Sequence, residues 1–418
     1  MSDRNKLILH EDWISVVLGG GLIALFLSGM ILPAPVFDWK TGAELSANVF
    51  SLPNFEVIGI QFVVVLFVAL LGAYFAGKSL KIYVPAFAII YMLTVIALII
   101  AGNGTMKHYG LEAVIFSLVI GLVISNFFTL PEWLKAALST ELFVKIGLVM
   151  LGTSVIFPDI LKSGSLGLIQ ALVVVLSVWY FAFWLCRKMK IDDELTMMIS
   201  SAVSICGVSA AIATSGAIKG DAKKLSYVIS LVLVTAIPMM VIMPYIARYF
   251  NFPEAVTGAW LGGSIDTTGA VVASGTLVGE TALKVSTIVK FSQNVLLGIA
   301  AFAISVYWSY SKDPDKRNSE DKPTLGVIWE RFPKFVIGFV GASLLFSFFI
   351  SPEQAAAVKG GLKNLQGLWF ALAFTSIGLE TNFADLFSRE NKKPLYAFLI
   401  AQTFNVFITL IIAWFLFK

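Results

Sequence analysis

The sequence predicts an all-α polytopic membrane protein, and three observations carry that prediction. Apolar residues make up 58% of the 418-residue chain, against roughly 45–50% in ordinary soluble proteins. Charged residues are 13%, against about 25%. Apolar windows of about 20 residues, the length that crosses a hydrocarbon core, recur from Trp13 to Phe417 with no long soluble stretch between them. About 11 spanning helices are expected on that spacing, with two broken segments among them, in one integral membrane domain covering residues 1–418.

The apolar windows fall near 13–32, 57–77, 83–101, 112–128, 142–157, 166–186, 225–247, 285–308, 332–350, 366–382 and 394–417. Pro33, Pro35, Pro53, Pro131, Pro253, Pro352 and Pro394 punctuate their edges, and Pro238 and Pro244 fall in or at the end of one span. The polar N-terminus, Met1 to Asp12, leads into an apolar run without a small-residue cleavage site, so the first helix is expected to be retained. Loop lysines and arginines set the orientation. Putting Arg4, Lys6, Lys78, Lys81, Arg187, Lys188 and Lys190 in the cytoplasm, with the 309–334 loop and Arg389, Lys392 and Lys393, gives a cytoplasmic N-terminus and an external C-terminus.

The two broken segments run near 197–218 and 257–278. Both are apolar enough for a bilayer but carry Gly, Ser and Thr where lipid favours Leu and Ile. Irregular backbone at membrane depth is tolerated only where protein or a wet cavity satisfies its free N–H and C=O groups. The triplet Lys219, Lys223 and Lys224 favours two re-entrant segments from opposite faces, because a full crossing by the first would leave these lysines outside. A half-unwound crossing helix is the alternative.

Internal echoes point to an inverted-topology repeat. Gly152, Phe157 and Asp159 recur in spacing as Gly378, Phe383 and Asp385, each set following a span that runs the opposite way. Ser204-Ile205 likewise echoes Ser264-Ile265.

Composition excludes several functions. The net charge of +4 is explained by loop lysines and implies no nucleic acid. Cys186 and Cys206 both lie in apolar segments, and His10 and His108 are far apart, so neither a disulfide framework nor a zinc site is expected. No phosphate loop of the Gly-x4-Gly-Lys-Ser/Thr kind is present, which argues against direct ATP drive.

The residues that could carry chemistry cluster in and near the broken segments. Charges inside membrane segments are costly, and they default to functional hypotheses. Asp266, beside Thr267 and Thr268, could bind sodium with freed carbonyls, carry a proton, or cap a helix. Lys290 and Glu380 lie in apolar segments, with Gln293 and Asn294 just after the lysine; Asp266 or Glu380 could pair with Lys290 as a salt bridge or as a coupling site. Lys145, near a segment end, is expected to snorkel. The first broken segment offers Ser204, Ser209, Thr214 and Ser215 around Gly207. A helix interrupted at Gly207 would aim free N–H groups and a positive dipole end at the gap, which suits an anion. Close packing of small residues is the alternative.

Ser204-Ile205-Cys206-Gly207-Val208-Ser209-Ala210 resembles the S-I-C-G-x-x-A signature of the YeiH-type family, whose members are labelled sulfate exporters. Gly262-Gly263-Ser264-Ile265 with Val271-Val272-Ala273 and Gly275 resembles its second signature, and Gly378-Leu379-Glu380-Thr381 its C-terminal G-L-x-T region. The resemblance covers a core of residues 111–418, with the 12–110 helices partly inserted. The chain departs from the family pattern at Asp266-Thr267, where members commonly carry His-Glu, and at Ser215-Gly216, where they carry Glu-Pro.

The resemblance implies secondary transport of a small anion, sulfate or a related oxyanion or organic acid, across a bacterial inner membrane. Expected substrate contacts are Ser204, Cys206, Gly207, Ser209, Thr214, Ser215, Gly263, Ser264, Thr267 and Thr268; expected ion-coupling residues are Asp266, Lys290, Asn294 and Glu380. The partners are the anion, H+ or Na+ and the lipid bilayer, with a homodimer allowed and no cofactor. An ion channel is the second reading. An intramembrane enzyme is the third, with Cys206 as a nucleophile that lacks a visible base.

Overall fold

The computed structural model describes residues 10–30, 32–108, 111, 113–312, 326–381 and 392–418. These residues are predominantly helical, with no named strand among them, and form an all-α polytopic membrane protein. Arg4, Lys6, Arg389 and residues 313–325 of the 309–334 loop, on which the expected orientation rests, lie outside the described residues, as do Phe383 and Asp385 of the second echo.

The principal helices, numbered here in chain order, are α1 (Glu11–Leu27), α2 (Leu52–Phe75), α3 (Leu80–Ala101), α4 (Ala113–Phe127), α5 (Thr140–Leu151) and α6 (Phe157–Lys188). There follow α7 (Asp193–Ser204), α8 (Val208–Ile218), α9 (Ala222–Tyr249), α10 (Glu254–Ser264), α11 (Thr268–Val278) and α12 (Glu280–Lys312). The last are α13 (Phe335–Phe348), α14 (Pro352–Glu380) and α15 (Lys393–Phe417). Six of them, α2, α3, α6, α9, α12 and α15, are long and apolar enough to cross a membrane by length and composition. The windows expected near 112–128, 142–157 and 332–350 fold as shorter helices of 15, 12 and 14 residues.

The chain packs as two compact units. One comprises the described parts of Met1–Phe157 and Lys334–Asn382, the other those of Pro158–Pro333 and Phe383–Lys418.

The first unit holds the internal repeat. Its core includes the ring contacts of Phe143 with Phe87 and Trp369, at 5.9 and 5.6 Å between centroids. The two echoing stretches exchange equivalent contacts. On α4, Ser125 Oγ donates to Thr381 O at 2.8 Å, and on α13, Ser343 Oγ donates to Val155 O. Val155 and Thr381 hold matching places in the two echoes, each third after its glycine. Those glycines behave alike: a Cβ on Gly152 would strike the main chain of Phe339 on α13, and one on Gly378 that of Leu118 on α4. Each echo therefore packs on the helix that precedes the other, as an approximate two-fold relation requires.

Lys145 of this unit departs from the snorkelling expectation. Its ammonium lies 3.1 Å from Glu11, 3.0 Å from Asp12 and 3.5 Å from Glu141, with the side chain only 14% exposed. Three carboxylates converging from α1 and α5 hold the charge inside the unit.

The second unit is built on two helical hairpins. Its core of Val178, Met198, Leu231 and Phe398 joins α6, α7, α9 and α15. Helices α7 and α8 contain 12 and 11 residues, and α10 and α11 contain 11 each. An arm of that length is about 17 Å long, roughly half of a 30 Å hydrocarbon core. Each arm can therefore reach the middle of a bilayer, but no single arm can cross it.

Contacts at the hairpin ends show that the chain returns. Asp192 caps α7 by accepting the Glu194 and Leu195 N–H groups, and Asp221 caps α9 by accepting those of Lys223 and Lys224. The Asp221 N–H, just past the end of α8, donates to Glu194 at the start of α7 at 3.1 Å. Lys224 then pairs with Asp192 at 2.7 Å and Glu194 at 3.2 Å. The two N–H bonds to Asp221 hold its carboxyl below the usual carboxylate range. In the second hairpin, a Cβ on Gly279, which follows α11, would lie 3.0 Å from the carboxylate of Glu254 at the start of α10.

Both broken segments are thus re-entrant, each beginning and ending at one level. The 28-residue α9, about 42 Å long, runs from the mouth of the first hairpin to that of the second. It carries Pro238 and Pro244 within one continuous helix. The hairpins therefore enter from opposite ends of α9, with their tips directed at each other.

Candidate functional site: the paired hairpin tips

Each hairpin breaks over three residues: Ile205-Cys206-Gly207 in the first and Ile265-Asp266-Thr267 in the second. Gly207 has φ +61°, a left-handed conformation that glycine adopts without strain. A Cβ there would lie 2.6 Å from Val232 and 3.0 Å from Asp266 Cβ. The first tip therefore turns sharply, directly against the second.

Breaking a helix frees carbonyl oxygens, and buried carbonyls need donors. Polar side chains from three flanking helices supply them. Lys290 on α12, 1% exposed, donates to Ile205 O at 2.9 Å, Ile265 O at 2.8 Å and Gln293 Oε1 at 3.0 Å. Gln293 Nε2 donates to Gly263 O at 2.9 Å. From α15, Gln402 Nε2 donates to Ser264 O at 2.7 Å, and Asn405 Nδ2 donates to Val203 O at 3.0 Å and Ser264 O at 3.2 Å. Gln170 on α6 donates to Ala259 O at 2.8 Å.

Lys290 is the pivot of this arrangement. Its three N–H donors meet three oxygens, one on each hairpin and one on its own helix. The carbonyls it binds, Ile205 and Ile265, stand at equivalent places in the Ser-Ile echo of the two segments. Asn405 bridges the tips in the same way. The expected ion pair of Lys290 with Asp266 or Glu380 is replaced by these neutral oxygens: its donors are all spent on them, and it forms no ion pair among the described residues. Glu380 ends α14 in the first unit, where its neighbours are Thr140, Glu141 and Lys78.

The other expected residues divide into those at the tips and those away from them. Asp266, 2% exposed, lies at the centre of the second tip. Thr267 caps α11 by accepting the Ala270 N–H at 3.3 Å, and Thr268 Oγ1 accepts from Asn294 Nδ2 at 3.3 Å. Cys206 and Gly207 form the first tip with Ser204, whose hydroxyl donates back to Ser200 O at 2.7 Å. Ser209 is exposed at the start of α8. Thr214 and Ser215 are buried two turns further along, towards the mouth of the hairpin. Gly263 serves packing, since a Cβ there would meet Gln170 and lie 2.6 Å from Thr409.

Sequence reasoning missed Gln170, Gln402 and Asn405. The available signal was an amide inside an otherwise apolar span, with Gln402 and Asn405 three residues apart on one helix face.

The tips carry unspent polar capacity of both signs. Gly207 has no side chain to cap the first N–H groups of α8, so the positive end of that helix faces the gap. Around the second tip, Asp266 Oδ2, Ser264 Oγ, Asn294 Oδ1 and Gln402 Oε1 are buried oxygens without a hydrogen-bond partner. An unserved buried polar atom costs about 1–3 kcal/mol, and four of them gather around this one tip.

This architecture defines a class: a polytopic membrane protein organised around two opposed re-entrant hairpins. The family model described as conserved hypothetical protein 698 matches residues 85–397, and the chain belongs to that family. It is 41% identical to UPF0324 membrane protein RB9488 of Rhodopirellula baltica, over 82% of this chain and 64% of that protein. A UPF0324 membrane protein of Nitratidesulfovibrio vulgaris is 38% identical over 83% of this chain and 61% of its own length. The chain thus spans less than two thirds of the length of these relatives. UPF0324 membrane protein NE0724 of Nitrosomonas europaea is 27% identical over 93% of this chain and 91% of its own. No solved structure is significantly similar to the chain.

Proposed function

We propose that the protein is a secondary active transporter, an exporter or exchanger, that moves a small anion across the bacterial cell membrane by alternating access at the hairpin tips. The observation that carries this reading is the meeting of two half-depth hairpins at one buried polar locus. In carriers, discontinuous segments related by an internal repeat build the substrate site near the bilayer midplane, with half-helix N-termini aimed at anionic groups. Here the uncapped start of α8 offers N–H donors beside Gly207, the exposed Ser209 hydroxyl adds another, and the Lys290 charge stands directly behind the tip. Sulfate, a related oxyanion or a small organic acid fits those donors.

A cation gradient, of protons or sodium, is the proposed driving force. Moving one charge through 100 mV supplies about 2.3 kcal/mol, enough for uphill transport. The burial of Asp266 at the second tip supports assigning it the coupling role.

Purified protein in proteoliposomes tests this directly. Sulfate and small organic acids are expected to show saturable uptake under an imposed cation gradient, with counterflow when the interior is preloaded. Unitary conductance without counterflow would make the protein a channel. Flux no greater than in empty liposomes for every anion would overturn the transport reading.

A further inference from the structure

The coupling ion is open to a closer argument, which rests on the transport reading only for the ion's purpose and not for its binding. We infer that the second hairpin tip is a site for a single hard monovalent cation, sodium, held by Asp266, Ser264, Asn294 and Gln402.

Four buried oxygens at that tip lack donors: Asp266 Oδ2, Ser264 Oγ, Asn294 Oδ1 and Gln402 Oε1. Their residues are 2%, 1%, 6% and 4% exposed, so bulk water does not serve them. The connections that bring them to one tip are all present. Gln402 Nε2 is tied to Ser264 O at 2.7 Å, and Asn294 Nδ2 to Thr268 Oγ1 at 3.3 Å. Each amide thus spends its nitrogen on the hairpin and leaves its oxygen over.

The chemistry of the leftover set selects the ligand. Three of the four atoms are acceptors only, and the Ser264 hydroxyl is the single donor among them, so the set presents far more lone pairs than an anion can use. A proton can satisfy the Asp266 carboxylate but leaves three neutral oxygens unserved. The Lys290 ammonium cannot serve them, because its three donors already meet Ile205 O, Ile265 O and Gln293 Oε1. A hard cation takes oxygen ligands from carboxylate, amide and hydroxyl groups together. The set holds one carboxylate, and no group of three His, Cys, Asp or Glu residues among the described residues could hold a metal ion. Beside Lys290, whose charge already offsets that carboxylate, a monovalent ion adds one net positive charge at membrane depth and a divalent ion two, so the monovalent ion is favoured.

The placement also gives a reason for coupling. With the Lys290 and Asp266 charges cancelling, a sodium ion at the second tip and a singly charged anion at the first, such as a small monocarboxylate rather than sulfate, leave the paired tips neutral overall. Either ion alone leaves one net charge buried. Each ion therefore favours binding of the other.

Thermal unfolding of the full-length protein in detergent, with sodium, potassium or choline chloride at constant ionic strength, tests the site without transport. Sodium is expected to raise Tm saturably while choline does not. Asn294→Ala and Asp266→Asn are each expected to weaken the apparent sodium affinity about 10-fold or more. An equal response to sodium and choline overturns the site, as does an unaltered sodium affinity in Asn294→Ala, which keeps the carboxylate should Asp266→Asn fail to fold. Anion flux driven by a pH gradient and indifferent to sodium overturns the sodium site while leaving the transport reading intact. Sodium binding without any anion flux does the reverse.

Discussion

Lys290→Met is expected to destabilise the protein more than any other single substitution in the second unit. Methionine fills much of the lysine's volume but donates nothing, so Ile205 O, Ile265 O and Gln293 Oε1 would each lose a donor. At about 1–3 kcal/mol for each of three unserved buried acceptors, the cost is roughly 3–9 kcal/mol, reduced where the tips relax. The loss is structural before it is functional, because Lys290 is the side chain that ties one hairpin to the other through both broken turns. Thermal unfolding monitored by size-exclusion chromatography checks this: the variant should aggregate well below the wild-type Tm. A variant as stable as wild type would show that the tips are held together by something else.

Asp266→Asn is expected to have the largest effect on activity, with a smaller effect on stability than Lys290→Met. Asparagine keeps the shape of the side chain and Asp266 Oδ2 accepts no hydrogen bond, so the fold loses no bond at that oxygen, only the counter-charge to Lys290. What disappears is the negative charge that balances a cation at the tip. Gradient-driven accumulation of the anion in proteoliposomes should be lost, while the Tm in choline falls less than in Lys290→Met. Accumulation that still follows the gradient would remove Asp266 from coupling.

The hairpins were legible in the sequence because their composition conflicts with a lipid-facing helix. Gly207, Ser209 and Ser215, and Gly262, Gly263 and Ser264, are where a crossing helix would carry large aliphatic groups, and the segments expected at 197–218 and 257–278 become α7–α8 and α10–α11. The direction of return was legible in Lys219, Lys223 and Lys224, a charge cluster that a full crossing would have carried to the far side. The partners of the tips were not legible. Lys290 was visible as a buried charge, but pattern cannot show that its ligands are main-chain oxygens, because those exist only once two helices have broken in register. Gln402 and Asn405 are two amides in a 25-residue apolar helix, and nothing in their local sequence says which face meets the tips. Glu380 illustrates the opposite failure. A carboxylate in an apolar window looks like a partner for Lys290, yet the fold assigns it to the other unit, a matter of topology that local sequence does not carry.

Cys206 gives the most direct test of alternating access at the tips. It lies in the break of the first hairpin, and the other cysteine, Cys186, packs in the hydrophobic core, where alanine can replace it. A membrane-impermeant thiol reagent would be applied to Cys186→Ala protein in right-side-out and inside-out vesicles, with and without the transported anion. The expected result is modification from both faces, in proportions that shift with the imposed gradient, and protection by the anion from either side. Modification from one face only, whatever the gradient and the anion, would contradict a site that opens alternately to the two sides.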